Sequence, residues 1–263
     1  EPARIDAVRA RIAATGADPA AWRVARDDGR PIEGLVLANE VVDALPTHRI
    51  VARDGRLREV RVGLGPDGSF SDLETDPSTP ALADRLAAEG IELAEGQRAE
   101  VCVALDAWIG GVAAGLDRGV LLVIDYGYPA AELYDPRRRA AGTLATYLGH
   151  TVGEDPYRAI GRQDITAHVD VTALERVAEA AGLTALGSTT QARFLDALGA
   201  GDLLVAEQTR PGASLAAYLE TRSALVRMID PGAMGRFRVG VWGRGLAPDA
   251  VLPGLDGSAR SLD

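Results

Sequence analysis

The sequence contains no lysine, so all 28 of its basic residues are arginine. This absence excludes a lysine nucleophile, a Schiff base and a phosphate-binding loop of the lysine type. Cys102 is the single cysteine, which excludes a disulfide within the chain and a zinc site built from several cysteines. The sequence has no run of about 18 apolar residues, so no membrane helix is predicted. It shows no signal-peptide pattern either, so we expect the cytoplasm as the location.

Positive charge is also scarce. The 38 acidic residues outnumber the 28 arginines in a chain of 263 residues, for a net charge of −10. Nucleic-acid binding needs clustered positive charge, so nucleic acid is not an expected partner, whereas a cationic ligand or a basic peptide would suit the surface. Because 47% of the residues are hydrophobic, we expect one packed domain over residues 1–263.

Apolar patterns predict strands of an α/β fold. Five consecutive aliphatic residues at 120–124 are typical of a strand that is covered on both faces, and residues 35–38 predict a shorter one. Segment 48–72 alternates around Asp54-Gly55, which predicts an inserted antiparallel ribbon. Helical segments between these strands would make the sheet a parallel α/β sheet.

Helices are predicted where apolar residues recur every three or four positions. They cover residues 4–16, Glu100 to Leu116, a segment that starts at the capping box Thr172–Glu175, and a segment from Ser214 with Leu215, Tyr218, Leu219, Leu225 and Met228 facing inward. Residues 129–170 show little periodicity. A loop of this length in a compact domain is usually functional, so we predict a lid segment over about 129–170.

Polar residues follow two of the predicted strands. Asn39, Glu40 and Asp43 come after the first strand, and Asp125 follows the second. Ligands of open α/β sheets bind beyond the carboxyl ends of the strands, and carboxylates beside a core are costly unless something pairs with them. We therefore predict that these acids line one crevice. Helix capping and binding of turn amides are the competing interpretation.

A second polar cluster lies in the predicted lid and contains His150, Asp164, His168 and Asp170. Two histidines and two aspartates are metal ligands, but their spacing does not fit a known site, so no metal is predicted. A structural hydrogen-bonded pair under the lid is the alternative for Asp164 and His168. The chain has no G-x-S-x-G elbow and no G-x-G-x-x-G loop after a predicted strand, which disfavours hydrolases and dinucleotide-binding dehydrogenases.

Six stretches occur in the order found in a known family. They are LVLANEVVDALP, VLLVIDYG, GTLATYLGH, GRQDITAHVDVTAL, TTQARFLDALG and MGRFRVGVW. Over residues 1–245 the sequence resembles the MidA-like methyltransferases. The resemblance implies a class I, Rossmann-like methyltransferase fold with an inserted antiparallel ribbon and a long lid segment. Mitochondrial members of the family imply methylation of a protein arginine with S-adenosyl-L-methionine as cofactor.

The sequence departs from the family at its beginning. The glycine-rich G-x-G-x-G cofactor loop of the family is not found, so we expect a sheet that is truncated at the N-terminus. Glu1 falls where the resemblance places the acid that holds the cofactor ribose. A catalytically inactive assembly factor, or a protein-binding module on the same fold, is therefore the alternative function.

The chemistry of methyl transfer to a guanidinium group suggests roles for individual residues, by analogy with other methyltransferases. The expected catalytic residues are Glu40, Asp43 and Asp125. The expected cofactor contacts are Glu1, Asn39 and Glu40. The expected acceptor-binding residues are Tyr126, His150, Asp164 and His168. The expected partner is a protein or peptide substrate rather than nucleic acid or a membrane, and we expect that the chain can form a homodimer.

Overall fold

The computed structural model describes residues 31–149, 151–210, 212, 214–247 and 252–255, together with Ala10 and Ala13. Glu1, His150 and most of the predicted helix at 4–16 lie outside the described residues.

Strands and helices are numbered here in chain order over the described residues. The strands are β1 (Ile32–Asn39), β2 (His48–Arg53), β3 (Arg56–Leu64), β4 (Phe70–Thr75), β5 (Arg98–Val101), β6 (Leu116–Asp125), β7 (Gly127–Tyr128), β8 (Ala145–Leu148), β9 (Thr151–Gly153), β10 (Asp164–Thr166), β11 (Val169–Asp170), β12 (Thr184–Thr190) and β13 (Arg238–Arg244). The helices are α1 (Ala81–Ala88), α2 (Ala104–Gly115), α3 (Ala130–Leu133), α4 (Val171–Ala180), α5 (Gln191–Ala197), α6 (Ala200–Thr209) and α7 (Leu215–Ile229), and a 3-10 turn spans Met234–Arg236.

The main sheet has the strand order β1-β6-β13-β12. β1 and β6 are parallel, whereas β13 runs antiparallel to both β6 and β12. Helices α2 and α4 cover one face, where Leu105 and Ile109 pack with Leu121 and Trp242 in the largest apolar cluster. The predicted α/β class and the predicted strands at 35–38 and 120–124 are confirmed. β6 is covered on both faces, which favours a continuous aliphatic run, whereas β1 is an edge strand of the described sheet and is mostly exposed.

The inserted ribbon is also confirmed, and it is larger than the sequence indicates. β4, β3, β2 and β5 form a second, wholly antiparallel sheet in that order. The turn at Asp54-Gly55 has φ angles of 50° and 68°, as expected for a tight hairpin turn. Ile50 packs against Leu82 and Leu86 of α1, so this sheet has its own apolar cluster.

The predicted helix from Glu100 to Leu116 is wrong at both ends. Glu100 belongs to β5, where it pairs with Arg49 of β2, and α2 begins only at Ala104. Leu116 already belongs to β6. The apolar residues of these strands happen to continue the helical spacing of α2. Periodicity cannot distinguish them from helical residues, because cross-strand pairing depends on the tertiary structure.

Two further predictions about helices need correction. Asp170, not Thr172, caps α4, since its side chain accepts a hydrogen bond from Ala173 N. The Thr172 hydroxyl instead accepts from Ala130 N. α7 follows Ser214 as predicted, but its predicted inward face is poorly covered: Leu215 is 73% exposed.

The predicted lid at 129–170 is not a structureless loop. β8, β9 and β10 form a small antiparallel sheet, and β11 pairs with β7 in parallel. Each of these strands has only two to four residues, too few for a periodic pattern to be visible. The lid is therefore an ordered wall close to the carboxyl ends of β1 and β6.

Candidate functional site

The acidic residues that follow β1 and β6 lie side by side. Asn39 pairs with Ile124 in the parallel register, and Glu40 N donates to the Ile124 carbonyl at 2.9 Å. One oxygen of Asp125 accepts hydrogen bonds from the backbone N–H groups of Val42 and Asp43, at 2.9 and 3.2 Å. The predicted convergence of the two strand ends is confirmed.

Asp125 lies beneath the site rather than in it. Its side chain is buried, and its second oxygen accepts from Tyr126 N at 2.9 Å. Burial raises the pKa of Asp125 to about 7, with a further increase from the nearby charge of Asp43, while the three backbone donors oppose the increase. Asp125 therefore holds the chain turns after β1 and β6 together, which differs from the predicted direct contact with the acceptor.

Asp43 is the buried carboxylate that opens onto the site. It is 5% exposed, and the Tyr126 hydroxyl donates a hydrogen bond to its Oδ2. Its Oδ1 is buried and accepts no hydrogen bond from the residues that the structure describes. Burial raises the pKa of Asp43, and the Tyr126 hydrogen bond opposes this effect. Nearby backbone N–H groups of Asp43 and Ala44 also oppose the increase. A carboxylate that is largely buried and has few donors is a stronger base than one in water.

A cavity of about 990 Å³ lies above these residues. Four carboxylates and two arginines line it, namely Glu40, Asp43, Glu132, Asp164, Arg236 and Arg238. Since the acids outnumber the arginines, the cavity favours a cationic ligand. Its volume lies near the top of the range of roughly 300–1,000 Å³ that is typical of small-molecule sites.

Aromatic rings form one wall of the cavity. His168 meets Tyr126 edge-on at 5.3 Å between ring centroids, and it lies 5.5 Å from the ring of Tyr128. Phe237 lies 5.4 Å from Tyr126 on the other side. Stacked rings exclude water and can contact a cation through their faces.

His168 is a neutral member of this wall. Burial lowers its pKa to about 4, and the positive charges of Arg139 and Arg236 lower it further. Arg139 itself lies over the ring of Tyr128, 3.9 Å from the centroid. At neutral pH His168 therefore adds no positive charge to the cavity.

Glu40 has an unusual backbone conformation at the rim. Its φ is 48°, which is uncommon for a residue with a side chain and costs roughly 1–2 kcal/mol. Its side chain is exposed and accepts from the Asn39 amide at 3.4 Å. Backbone strain of this kind is often found where a side chain has to be aimed at a ligand.

The structure thus brings most of the predicted site residues together. Glu40, Asp43, Tyr126, Asp164 and His168 line one cavity, Asp125 supports it from below, and Asn39 lies at the end of β1 without lining it. Tyr128, Glu132 and Phe237 line the cavity and were not predicted. Tyr128 directly follows the DYG stretch and Phe237 lies in MGRFRVGVW. Both positions are in or next to stretches that carry the family resemblance, and this was the signal that could have identified them.

Within the described ranges, no group of three or more His, Cys, Asp or Glu side chains is arranged to hold a metal ion. In the same part of the chain, no helix combines the length and apolar character that are needed to cross a bilayer.

Comparison with known proteins gives consistent relatives. A family model described as an S-adenosyl-L-methionine-dependent methyltransferase matches residues 2–189. A curated relative, the mitochondrial protein arginine methyltransferase NDUFAF7 homolog of Drosophila melanogaster, is 27% identical over 215 residues, which cover 78% of this chain and 46% of that protein.

Two solved structures from Burkholderia thailandensis share this fold at 33% identity. One is a methyl transferase candidate bound to S-adenosyl-homocysteine, with a TM-score of 0.81 over 91% of this chain and 60% of that one. The other is a native structure from the same superfamily, with a TM-score of 0.83 over 96% of this chain and 66% of that one. These similarities confirm the Rossmann-like methyltransferase fold.

The chain spans less than half of the Drosophila relative and about two thirds or less of each bacterial structure. The family match itself covers well over half of the 263 residues and includes both strand ends that build the cavity. The chain therefore belongs to the family of S-adenosyl-L-methionine-dependent methyltransferases.

Proposed function

We propose that this protein transfers a methyl group from S-adenosyl-L-methionine to an arginine side chain of a protein or peptide. The family supports the cofactor, and the Drosophila relative, named as a protein arginine methyltransferase, supports the acceptor. The observation that carries the proposal is the buried carboxylate of Asp43, which lines an acid-lined cavity at the carboxyl ends of two parallel strands.

An arginine acceptor matches this cavity chemically. The guanidinium group is a planar cation with five N–H donors, and it binds carboxylates with paired hydrogen bonds. Glu40 and Asp43 line the same wall, so together they can orient the guanidinium. The aromatic wall of Tyr126, Tyr128 and Phe237 would cover its apolar faces.

Methylation requires that the acceptor nitrogen loses a proton as the new nitrogen–carbon bond forms. Asp43 is the residue placed to accept it, because burial raises its pKa and so makes its carboxylate a stronger base. The Tyr126 hydroxyl holds the carboxylate in a fixed orientation. Asp125 maintains this geometry through the backbone N–H groups of Val42 and Asp43.

The cofactor would supply an electrophilic methyl group on a positively charged sulfur. Asn39 and Glu40 are the described residues best placed to contact its charged end, since both lie where β1 ends, at the edge at which α/β sheets bind ligands. Carboxylates near a positive sulfur favour its binding electrostatically. Alignment and electrostatic stabilisation are what the protein contributes to a displacement of this type.

Replacing Asp43 by asparagine tests the proposal. The variant keeps the shape of the side chain but removes the base, so we expect methyl transfer to an arginine peptide to fall by about 100-fold or more. Incorporation of radiolabelled methyl groups measures the rate, and calorimetric titration with S-adenosyl-L-methionine measures cofactor affinity, which should change little. Asp84→Asn, an identical change on the exposed surface of α1, is the control.

The two measurements also separate the proposal from its alternative. Undiminished transfer by the Asp43 variant would remove this residue from the chemistry. If the unmodified protein neither binds the cofactor nor transfers a methyl group, the non-enzymatic function as an assembly factor or protein-binding module is favoured instead.

A further inference from the structure

A second depression lies next to the cavity, between the ribbon and the lid. This ribbon–lid groove has a volume of about 380 Å³. Asp43, Ala44, Ile165 and Thr166 line both the cavity and the groove. The two spaces are therefore adjacent, and the buried acid lies where they meet.

The groove has both charged and apolar lining residues. Charged residues of the ribbon, Arg61 among them, line it together with Val62 of β3 and Tyr157 of the lid. Alternate residues of a strand share a face, so Leu64 continues the wall beyond Val62, and it pairs with Phe70 on β4. Val62, Leu64 and Phe70 are 61%, 71% and 45% exposed. A contiguous exposed apolar surface next to a polar site is typical of an interaction surface.

One carboxylate holds the two walls of the groove together. Asp72 of β4 accepts two hydrogen bonds from Arg49, at 2.7 and 3.1 Å, one from Arg98 at 2.7 Å, and one from the Tyr157 hydroxyl at 2.7 Å. Although burial opposes it, these donors lower the pKa of Asp72 well below its usual value. The carboxylate therefore stays charged and fixes the lid to the ribbon, so the groove is a preformed feature.

A small cationic acceptor would occupy the cavity and leave this groove unused. A polypeptide would occupy both, because its main chain has to leave the cavity on either side of the modified residue. Extended peptides place successive side chains about 3.3 Å apart along the chain and on alternating sides, which lets neighbouring residues enter separate pockets.

We propose that the ribbon–lid groove binds the polypeptide segment that carries the acceptor arginine, and that it selects apolar residues two positions from that arginine, which lie on the same side of an extended chain. This inference rests on the proposed function, since it assigns the main chain of the same substrate. The acid-lined cavity recognises the cation, and the apolar strip of Val62, Leu64 and Phe70 recognises its neighbours.

The test compares two acceptors on the full chain. One is the peptide acetyl-Gly-Phe-Gly-Arg-Gly-Phe-Gly-amide, and the other is Nα-acetyl-arginine methylamide, which has the side chain but no neighbours. We expect the KM for methyl transfer to be at least about tenfold lower for the peptide. Val62→Arg, which places a bulky cation on the exposed groove wall, should abolish most of that preference.

Leu73→Arg is the matched control. Leu73 is 52% exposed on the same ribbon, but it lies on the opposite face from Val62 and does not line the groove. This variant should keep the full preference for the peptide. Equal KM values for the two acceptors, or equal losses in the Val62 and Leu73 variants, would overturn the groove assignment.

Binding of the fluorescein-labelled peptide, followed by anisotropy, separates this inference from the proposed function. If the peptide binds and Val62→Arg alone weakens binding about tenfold, the groove is supported even if neither acceptor is methylated. In that case the enzymatic function fails on its own. If the blocked arginine is methylated but the peptide gains no affinity, the function stands and the groove assignment is wrong.

Discussion

Replacing Asp125 by asparagine tests how the hydrogen bonds of this side chain and the cost of burying its charge contribute to stability. The buried carboxylate accepts hydrogen bonds from Val42 N, Asp43 N and Tyr126 N. Asparagine offers one acceptor oxygen where the carboxyl group, charged or protonated, offers two, so at least one backbone donor loses its partner. Such a loss costs roughly 1–3 kcal/mol of unfolding free energy.

The cost of burying the charge of Asp125 opposes this hydrogen-bond effect, and it depends on pH. The pKa of Asp125 rises from 3.8 to about 7 on folding, so between these values the folded state binds a proton that the unfolded state has released. Wild-type stability therefore falls as pH increases through this window. Between pH 5 and pH 8 the fall due to Asp125 is about 2–3 kcal/mol, since one pKa unit corresponds to about 1.4 kcal/mol.

Asp125→Asn cannot titrate at this position. The variant therefore loses a hydrogen bond at every pH, but it avoids the fall in stability that the wild type shows as pH increases. At pH 5 we expect Asp125→Asn to be less stable than the wild type by about 1–3 kcal/mol. Between pH 5 and pH 8 this difference should decrease by about 2–3 kcal/mol, so that the variant becomes about as stable as the wild type or more stable. Urea denaturation at unit steps of pH gives both unfolding free energies. Asp84→Asn on the surface of α1 should follow the wild type at every pH. A difference between wild type and Asp125→Asn that stays constant from pH 5 to pH 8 would refute the reasoning.

Three further changes have defined outcomes. Gly142→Ala should lower the unfolding free energy by roughly 1–3 kcal/mol in urea denaturation, because φ at Gly142 is +84° and a Cβ would lie 2.5 Å from the buried Glu100 Oε1. Tyr126→Phe removes the donor to Asp43 and so raises the pKa of that acid, which should move the acidic limb of the pH–rate profile of methyl transfer to higher pH. In His168→Phe the loss of stability on acidification should be smaller than in the wild type. The wild type loses about 2–3 kcal/mol between pH 7 and pH 4 from this residue alone, because the pKa of His168 is about 4 when folded and 6.5 when unfolded.

Each of these changes has its own control or contrary result. Gly149→Ala, at φ +61° in open space, carries the backbone penalty without the clash, so an equal loss in both glycine variants would argue against the contact with Glu100. An acidic limb that stays in place in Tyr126→Phe would show that the limb does not report Asp43. Parallel acid denaturation of His168→Phe and the wild type would show that the histidine is not buried in a neutral form.

Much of the site could be predicted because local pattern and chain position carry the information. A run of aliphatic residues that ends in an acid indicates a strand and the end at which α/β sheets bind ligands, which is why the sequence predicts Glu40, Asp43 and Asp125 as candidate site residues. Tyr128 and Phe237 were missed. They come from distant parts of the chain and become a wall only when β7 and β13 reach the same edge of the main sheet.

Some predictions failed for the same reason. Glu100 fits a helical repeat, yet it lies in β5, where Arg49 of β2 supplies its cross-strand partner. Thr172 forms a good local capping box, but its hydroxyl is used by Ala130 N and Asp170 caps the helix instead. Local propensities are worth fractions of a kcal/mol per residue, whereas burial and pairing with a distant segment contribute several times more.

By itself, the sequence determined the α/β class, the ribbon, the absence of lysine chemistry and the set of acids at the strand ends. Only the tertiary structure decided what each acid does. Burial, a tyrosine donor and the cavity define the surroundings of Asp43, while three backbone N–H groups make Asp125 the support of the turns after β1 and β6. The physical reason is that the pKa and the hydrogen-bond partners of a carboxylate depend on groups far away in the chain, and these groups become neighbours only in the folded state.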